Sequence, residues 1–280
     1  METAWLRAHL DDPGLVVVDC RYVLGQPGEG RPRWLEGHIP GAAFLDVDRD
    51  LAAEPGERGR HPLPDAADFE AAARGAGIES ASRVVAYDEA GEGGAVRLWW
   101  LLRHFGHDEA AVLNGGLAAW REAGGPLEAG EGATRTGEEE TATKAGNKAR
   151  PSNQPAKHPF TARQRTNDTV SANELSAAAA GGEPSARLLD ARAPERYRGE
   201  TEPIDPVAGH IPGAVNVPYA EIAPHGRFLQ TAELRKRLGD EPFVAYCGSG
   251  ITACTLVLAG ELAGVEGRLY PGSWSEWCRR

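Results

Sequence analysis

The sequence predicts an α/β protein made of two tandem copies of one domain, each a mainly parallel sheet flanked by helices. Three observations predict it. Short apolar runs alternate with helical patterns, the order that yields parallel strands joined by crossover helices. The strand at 15–19 (LVVVD) is apolar almost throughout, as a strand covered on both faces requires. Four strings also recur in the same order. Asp19-Cys20-Arg21 returns as Asp190-Ala191-Arg192, and Gly37-His38-Ile39-Pro40-Gly41-Ala42 as Gly209-His210-Ile211-Pro212-Gly213-Ala214. Val85-Ala86-Tyr87 returns as Val244-Ala245-Tyr246, and Asn114-Gly115-Gly116 with Trp120 as Pro271-Gly272-Ser273 with Trp277. The repeat distance is far above the roughly 50 residues of a solenoid unit, so this is a duplicated domain.

The first copy is expected over 1–127. Helical spacing places helices at 3–10, 67–76, 95–105 and 117–123. Apolar, β-branched runs place strands at 15–19, 83–87 and 111–113. Residues 128–169 read differently. Their run GEEETATKAGNKARPSNQPAKH is polar and almost free of large apolar side chains, so it cannot offset its ordering entropy by burial. A linker, mostly irregular and draped over the domains, is expected there. The second copy spans 170–280, with helices at 172–180 and 232–238 and strands at 188–190 and 268–270. A final helix begins at Ser273.

The stretch that organises the chain is 242–262, PFVAYCGSGITACTLVLAGEL. Phe243 to Tyr246 read as a buried strand, and Ala253, Leu256, Val257 and Gly260 recur at helical spacing from about Thr252. Between them Gly248 and Gly250 permit a tight turn. Cys247 therefore stands where a strand meets a loop and a helix start. Orphan N–H groups there can point at its sulfur and favour the thiolate. Cys247 is thus a candidate nucleophile or sulfur carrier. The loop amides of Gly248, Ser249, Gly250, Ile251 and Thr252 are the candidate anion cradle, with Thr252 also positioned as helix N-cap. Ser249 is not placed to cap, which leaves its hydroxyl for the site. In the first copy Tyr87 is followed by Asp88-Glu89-Ala90-Gly91-Glu92, acidic and without a thiol. That copy is expected to be catalytically silent.

The loop Cys247-Gly248-Ser249-Gly250-Ile251-Thr252 resembles the active loop of the two-domain rhodanese-like sulfurtransferases, and CGSGITAC is most similar to their 3-mercaptopyruvate branch. Together with the duplication, the resemblance covers nearly the whole chain outside 128–169. It implies a persulfide on Cys247, sulfur taken from 3-mercaptopyruvate and passed to a thiol or cyanide, with thioredoxin as one candidate acceptor. It implies no cofactor and no metal. By position Arg196 matches the family's substrate arginine, while Arg192 reads as a structural partner of a carboxylate. A second substrate arginine is expected in a Glu-Pro stretch; here that stretch is Glu202-Pro203-Ile204-Asp205, with Asp205 near the place of the arginine. His61, in Arg60-His61-Pro62, resembles the histidine of a serine-histidine-aspartate relay with Ser249 and Asp46; Asp48 is the competing aspartate. Thiosulfate is the alternative donor, although the loop carries no cation behind the cysteine.

Other classes fit less well. A cysteine phosphatase needs an arginine closing the loop, and Ala253 stands there. A binding module with an incidental Cys247 does not explain why one copy keeps the loop and the other lacks it. The net charge of −11 disfavours nucleic acid and anionic membranes as partners. Four cysteines without a CxxC pair disfavour a disulfide scaffold or zinc site. The opening METAWLRAHLDD has no basic region followed by an apolar run, and no stretch nears 18 apolar residues. A cytoplasmic protein acting on a small anionic sulfur donor is the resulting expectation.

Overall fold

The computed structural model describes residues 1–131, 158–179 and 186–280. The first copy runs α1 (Thr3–His9), β1 (Leu15–Asp19), α2 (Gly30–Glu36), β2 (Ala43–Phe44), α3 (Ala66–Gly75), β3 (Arg83–Tyr87), α4 (Gly94–His104), β4 (Ala110–Val112) and α5 (Gly116–Glu122). The second runs α6 (Ala172–Ala179), β5 (Arg187–Asp190), α7 (Pro194–Tyr197), β6 (Val215–Asn216), α8 (Tyr219–Ile222), α9 (Thr231–Leu238), β7 (Phe243–Tyr246), α10 (Ala253–Ala263), β8 (Gly267–Leu269) and α11 (Ser273–Trp277). Each copy forms one four-stranded parallel sheet, ordered β2-β1-β3-β4 and β6-β5-β7-β8. The duplication therefore extends from strings to topology. Parallel pairing sends β1 with β3, and β5 with β7, to the same sheet edge, where α/β proteins place their ligands.

The repeated strings hold the same joints in both copies. Asp19 and Asp190 end β1 and β5 with no exposure, and each pairs at 2.7 Å with the arginine two residues on, Arg21 or Arg192. A buried carboxylate needs such a partner. His38 Nδ1 lies 2.8 Å from the Trp34 carbonyl and stacks on Trp34; His210 Nδ1 lies 2.8 Å from the Tyr197 carbonyl and stacks on Tyr197. Both histidines fasten the Gly-His-Ile-Pro-Gly-Ala turn. The Tyr87 and Tyr246 hydroxyls complete the pattern by accepting from Ile39 N–H and Ile211 N–H, each at 3.1 Å.

Every helix and strand expected from periodicity forms, with ends shifted by a residue or so. Among the described α-helices and strands, five carried no such signal. β2 and β6 are two residues long, too short to show alternation. α7 and α8 are single turns. α2 opens at Gly30 and contains Pro32, and tertiary contact sustains it: Trp34 is buried and its indole donates to the Ala42 carbonyl at 3.0 Å.

Of the linker expected over 128–169, residues 132–157 lie outside the described residues. Most of the remainder is fastened to the first copy, and its end joins the second, where Thr169 bridges Leu269 and the Asp168 carbonyl accepts from Leu269 N–H. Glu128 bridges His38 and Pro159 bridges Glu79. Phe160 enters the core against Phe69, with 2 % exposure. The N–H groups of Arg163 and Arg165 donate to the carbonyls of Phe105 and His104. A buried aromatic side chain and several backbone bonds hold a segment that its composition marks as loose.

The two copies meet face to face. Gly115 N–H donates to the Gly226 carbonyl, Phe228 N–H to Asn114 Oδ1 at 3.0 Å, and α4 packs on α10. At this seam Gly226 has φ +71°, and an added Cβ would lie 2.7 Å from the Ala90 carbonyl carbon. Gly226→Ala is expected to lower stability by about 1–3 kcal/mol, seen as a fall of several degrees in thermal unfolding. An unchanged melt would mean that the two copies separate freely.

Candidate active site

Cys247 is 2 % exposed and follows β7 directly. Its loop is pinned from outside. The Cys247 carbonyl accepts from Trp274 N–H at 3.0 Å and the Gly248 carbonyl from Ser275 N–H at 2.9 Å, both at the start of α11. Gly250, with φ +81°, turns its carbonyl to Arg97 Nη1 at 3.1 Å. In a trans peptide the N–H points opposite to the C=O. Fixing these three carbonyls outward turns the N–H groups of Gly248, Ser249 and Ile251 the other way. Gly250 N–H donates to Cys247 Sγ at 3.2 Å. One loop amide thus already donates to the sulfur, and three more point away from their fixed carbonyls, an arrangement suited to stabilising an anion. Behind it, Cys247 N–H donates to Ser273 Oγ at 3.1 Å, and Ser273 itself has φ +52°.

Arg97 was not marked by any sequence pattern, since it lies within an apolar helical run. It is fully buried, and it donates to the carbonyls of Leu51, His61, Pro62 and Gly250. Burial lowers its guanidinium from the usual arginine range. One cation thus ties the loop carrying His61 to the loop carrying Cys247.

The structure brings Ser249 and His61 together: His61 Nδ1 lies 2.7 Å from Ser249 Oγ. His61 Nε2 lies 2.9 Å from Asp48 Oδ1. This corrects the expectation of Asp46. The Asp46 carboxylate is turned back on its own chain, where it accepts from Asp48 N–H at 2.9 Å. It shapes the turn that presents Asp48. A carboxylate only accepts, so Nε2 carries the ring proton and Nδ1 accepts from the Ser249 hydroxyl. The hydrogen bonds thus run from Ser249 to His61 to Asp48, so that His61 can take a proton from Ser249 and, once charged beside Asp48, give it back.

Thr252 departs from its expected role. It occupies the N-cap position of α10, but its hydroxyl makes no capping bond and its backbone is already helical. Ile251 is buried against the partner copy's loop, its methyl 3.0 Å from the point where Gly93 would carry a Cβ. Cys254 faces the core with no exposure; burial pushes its thiol up to about 12, and its S–H donates to the Gly250 carbonyl at 3.4 Å. Arg198 is exposed and paired with Glu200, away from this constellation.

The cationic part of the site contains one residue that the sequence reading missed. Arg196 pairs with Glu202 at 2.6 Å. Arg60, from the first copy, pairs with Asp205 and donates its backbone N–H to Ser275 Oγ at 3.0 Å. Both guanidiniums converge on Gly248: a Cβ there would lie 2.9 Å from Arg60 Nη2 and 3.5 Å from Arg196 Nη1. A side chain at 248 would have to displace the Arg60 guanidinium. The signal for Arg60 lay beside His61, in a string read only for its histidine.

In the first copy the equivalent loop follows β3. There the Asp88 carboxylate accepts from Gly91 N–H at 2.7 Å and Gly93 N–H at 2.9 Å. Gly91 and Gly93 have φ +93° and +109°, so the same kind of amide cradle exists, already filled by a side-chain anion.

A family profile described as the rhodanese-like domain matches this chain twice, over residues 2–123 and 171–280. A probable 3-mercaptopyruvate sulfurtransferase of Pseudomonas aeruginosa is 42 % identical, over 97 % of this chain and 92 % of that protein. A putative thiosulfate sulfurtransferase of Mycobacterium tuberculosis is 40 % identical, over 93 % of this chain and 87 % of that protein. The crystal structure of a 3-mercaptopyruvate sulfurtransferase from Escherichia coli superposes with a TM-score of 0.77 at 32 % identity, covering 99 % of this chain and 98 % of that one.

Proposed function

This chain belongs to the rhodanese-like family of sulfurtransferases, and we propose that it moves a sulfane sulfur from 3-mercaptopyruvate to a thiol acceptor or cyanide through a persulfide on Cys247. The observation that supports this donor is the Asp48–His61–Ser249 sequence of hydrogen bonds beside a loop that carries no cation. The first copy, with Asp88 in place of a thiol, lends Arg60 and His61 to the cleft and carries no sulfur itself.

The chemistry follows from the groups. The Cys247 thiolate attacks the donor sulfur. A new S–S bond forms, the donor C–S bond breaks, and its electron pair leaves as the enolate of pyruvate. The donor's thiol proton, still on the outer sulfur when the S–S bond has formed, passes through Ser249 to His61 and is returned to the enolate carbon, giving pyruvate and an ionised persulfide. The outer sulfur of the persulfide then rests among the loop amides. An acceptor thiolate attacks it, takes it away as its own persulfide, and regenerates the Cys247 thiolate. A covalent intermediate between two half-reactions predicts ping-pong kinetics. A small dithiol protein such as thioredoxin is a suitable acceptor, as is cyanide. Among the described residues no helix is long and apolar enough to cross a membrane.

Thiosulfate as donor is the second reading, favoured by the two arginines at the mouth. Side-by-side steady-state assays of the purified protein test the choice. The expected result is a higher kcat/KM for 3-mercaptopyruvate; a preference for thiosulfate would reverse the assignment.

Arg196→Ala should chiefly raise KM for the donor. Losing a charge-assisted partner of the donor's anion costs about 1.5–3 kcal/mol, roughly 10- to 150-fold. Unchanged kinetics with both donors would leave Arg196 only its ion pairs with Glu202 and Asp205.

A further inference from the structure

We propose that Asp205 is a specificity-determining residue: held between Arg60 and Arg196 beside Gly248, its charge tunes the arginine pair to monoanionic donors and against dianions such as thiosulfate. This rests on the sulfurtransferase reading and on both guanidiniums serving the donor's anionic end.

The argument begins with a line of alternating charges. Asp190 pairs with Arg192 at 2.7 Å, and Arg192 with Glu202 at 3.4 Å. Glu202 pairs with Arg196 at 2.6 Å, Arg196 with Asp205 at 3.6 Å, and Asp205 with Arg60. Three cations and three anions cancel. The line starts on a strand of the second copy and ends on a loop of the first, so it crosses the cleft at its mouth. Asp205 is almost wholly buried, its side chain 1 % exposed. Its Oδ2 has no hydrogen-bond partner, and neither does the buried Nε of Arg60. The two ends of this last pair are therefore incompletely satisfied, which is unusual for buried ionic groups and marks a place built for something besides stability.

The free edges of the two arginines face Gly248, next to the reacting sulfur. A donor anion settling there meets two guanidiniums that are already neutralised from the other side. One negative charge can share them. A second negative charge finds the Asp205 carboxylate instead of a further cation of this line. 3-Mercaptopyruvate carries one carboxylate; thiosulfate carries two charges close together. At separations of a few ångströms, repulsion by one fixed carboxylate is worth about tenfold or more in affinity, even in a well-screened cleft.

The test uses the full chain, with cyanide as acceptor and each donor in turn. In Asp205→Asn, the ratio of kcat/KM for thiosulfate to kcat/KM for 3-mercaptopyruvate should rise about tenfold, mainly through KM. Asp205→Ser removes the same charge without placing an amide, and must move the ratio in the same direction. Asp205→Glu, which keeps the charge, must hold the ratio near that of the parent. Arg60→Gln should move it the opposite way, and supplies a second reading should the aspartate variants fold poorly. A ratio unmoved in the Asn and Ser variants, or equal loss with both donors, overturns the role of Asp205 and leaves it a structural partner of Arg60. A parent protein that transfers sulfur from neither donor overturns the enzymatic reading itself.

Discussion

Cys247→Ser is expected to reduce sulfur transfer to the uncatalysed background while shifting the melting temperature by no more than about 2 °C. The loss follows from chemistry: a hydroxyl cannot form the persulfide, and a covalent route has no bypass when its nucleophile is removed. The preserved fold follows from the way the loop is held. Its main-chain anchors run from Trp274 N–H and Ser275 N–H to the carbonyls of Cys247 and Gly248, and from Cys247 N–H to Ser273 Oγ. None of these uses the sulfur. A serine hydroxyl is smaller than the thiol and can still accept from Gly250 N–H. Cys254 cannot take over. It is fully buried and held as a neutral thiol, and the thiolate is the nucleophile. Treating the parent with donor should add about 32 Da, one sulfur, to the peptide carrying Cys247, as a covalent intermediate requires. A persulfide found on Cys254 alone, or full activity in Cys247→Ser, would refute the assignment.

The legibility of this molecule in its sequence differs by scale. The fold was legible because it is written twice. Asp19 and Asp190, or His38 and His210, could be matched without knowing their contacts, since identical joints impose identical residues. The placement of the candidate nucleophile was legible for a similar reason: strand, loop and helix signals converge on Cys247 within a few positions. Other parts of the site depend on relations that a linear reading does not contain. Asp46 and Asp48 are two residues apart and chemically identical. Only the turn, in which Asp46 accepts from the Asp48 backbone, decides which of them faces His61. Arg60 and Arg97 act across the seam between the copies, on Gly248 and Gly250 of the other one. A contact more than 140 positions distant leaves no periodic trace. Phe160 was missed for the opposite reason: averaging over a polar segment hid one aromatic side chain that decides where the segment goes.

Asp205 shows how an apparent exception can be relocated. The family resemblance implied an arginine in the Glu-Pro stretch, and its absence weakened the expected grip on a carboxylate. In space the second guanidinium comes from Arg60 of the first copy, and Asp205 is the group it pairs with. The cleft keeps two arginines but draws them from different copies. On the proposed function, the first copy would then take part in donor recognition through Arg60.

Ser249→Ala and His61→Ala are expected to lower kcat for 3-mercaptopyruvate by about 10²–10⁴-fold, the usual contribution of a positioned proton donor. With thiosulfate the same variants should stay within a few-fold of the parent. The difference lies in the leaving groups. Pyruvate departs as an enolate, a strong base that must receive a proton at carbon. Thiosulfate releases sulfite, which is stable as an anion and needs none. The Ser249 hydroxyl is placed to relay the donor's thiol proton: His61 Nδ1, 2.7 Å away, can take a proton from it and return it, while Asp48 at 2.9 Å holds the ring and faces its charged form. The aspartates then separate the relay from simple packing. Asp48→Asn removes the charge facing Nε2 and should reproduce much of the loss. Asp46→Asn keeps an oxygen that can accept from Asp48 N–H, and so should retain activity with both donors. If Ser249→Ala and His61→Ala slow the two donors equally, these groups shape the loop and move no proton. If Asp46→Asn is the more damaging aspartate variant, the relay passes through the wrong carboxylate.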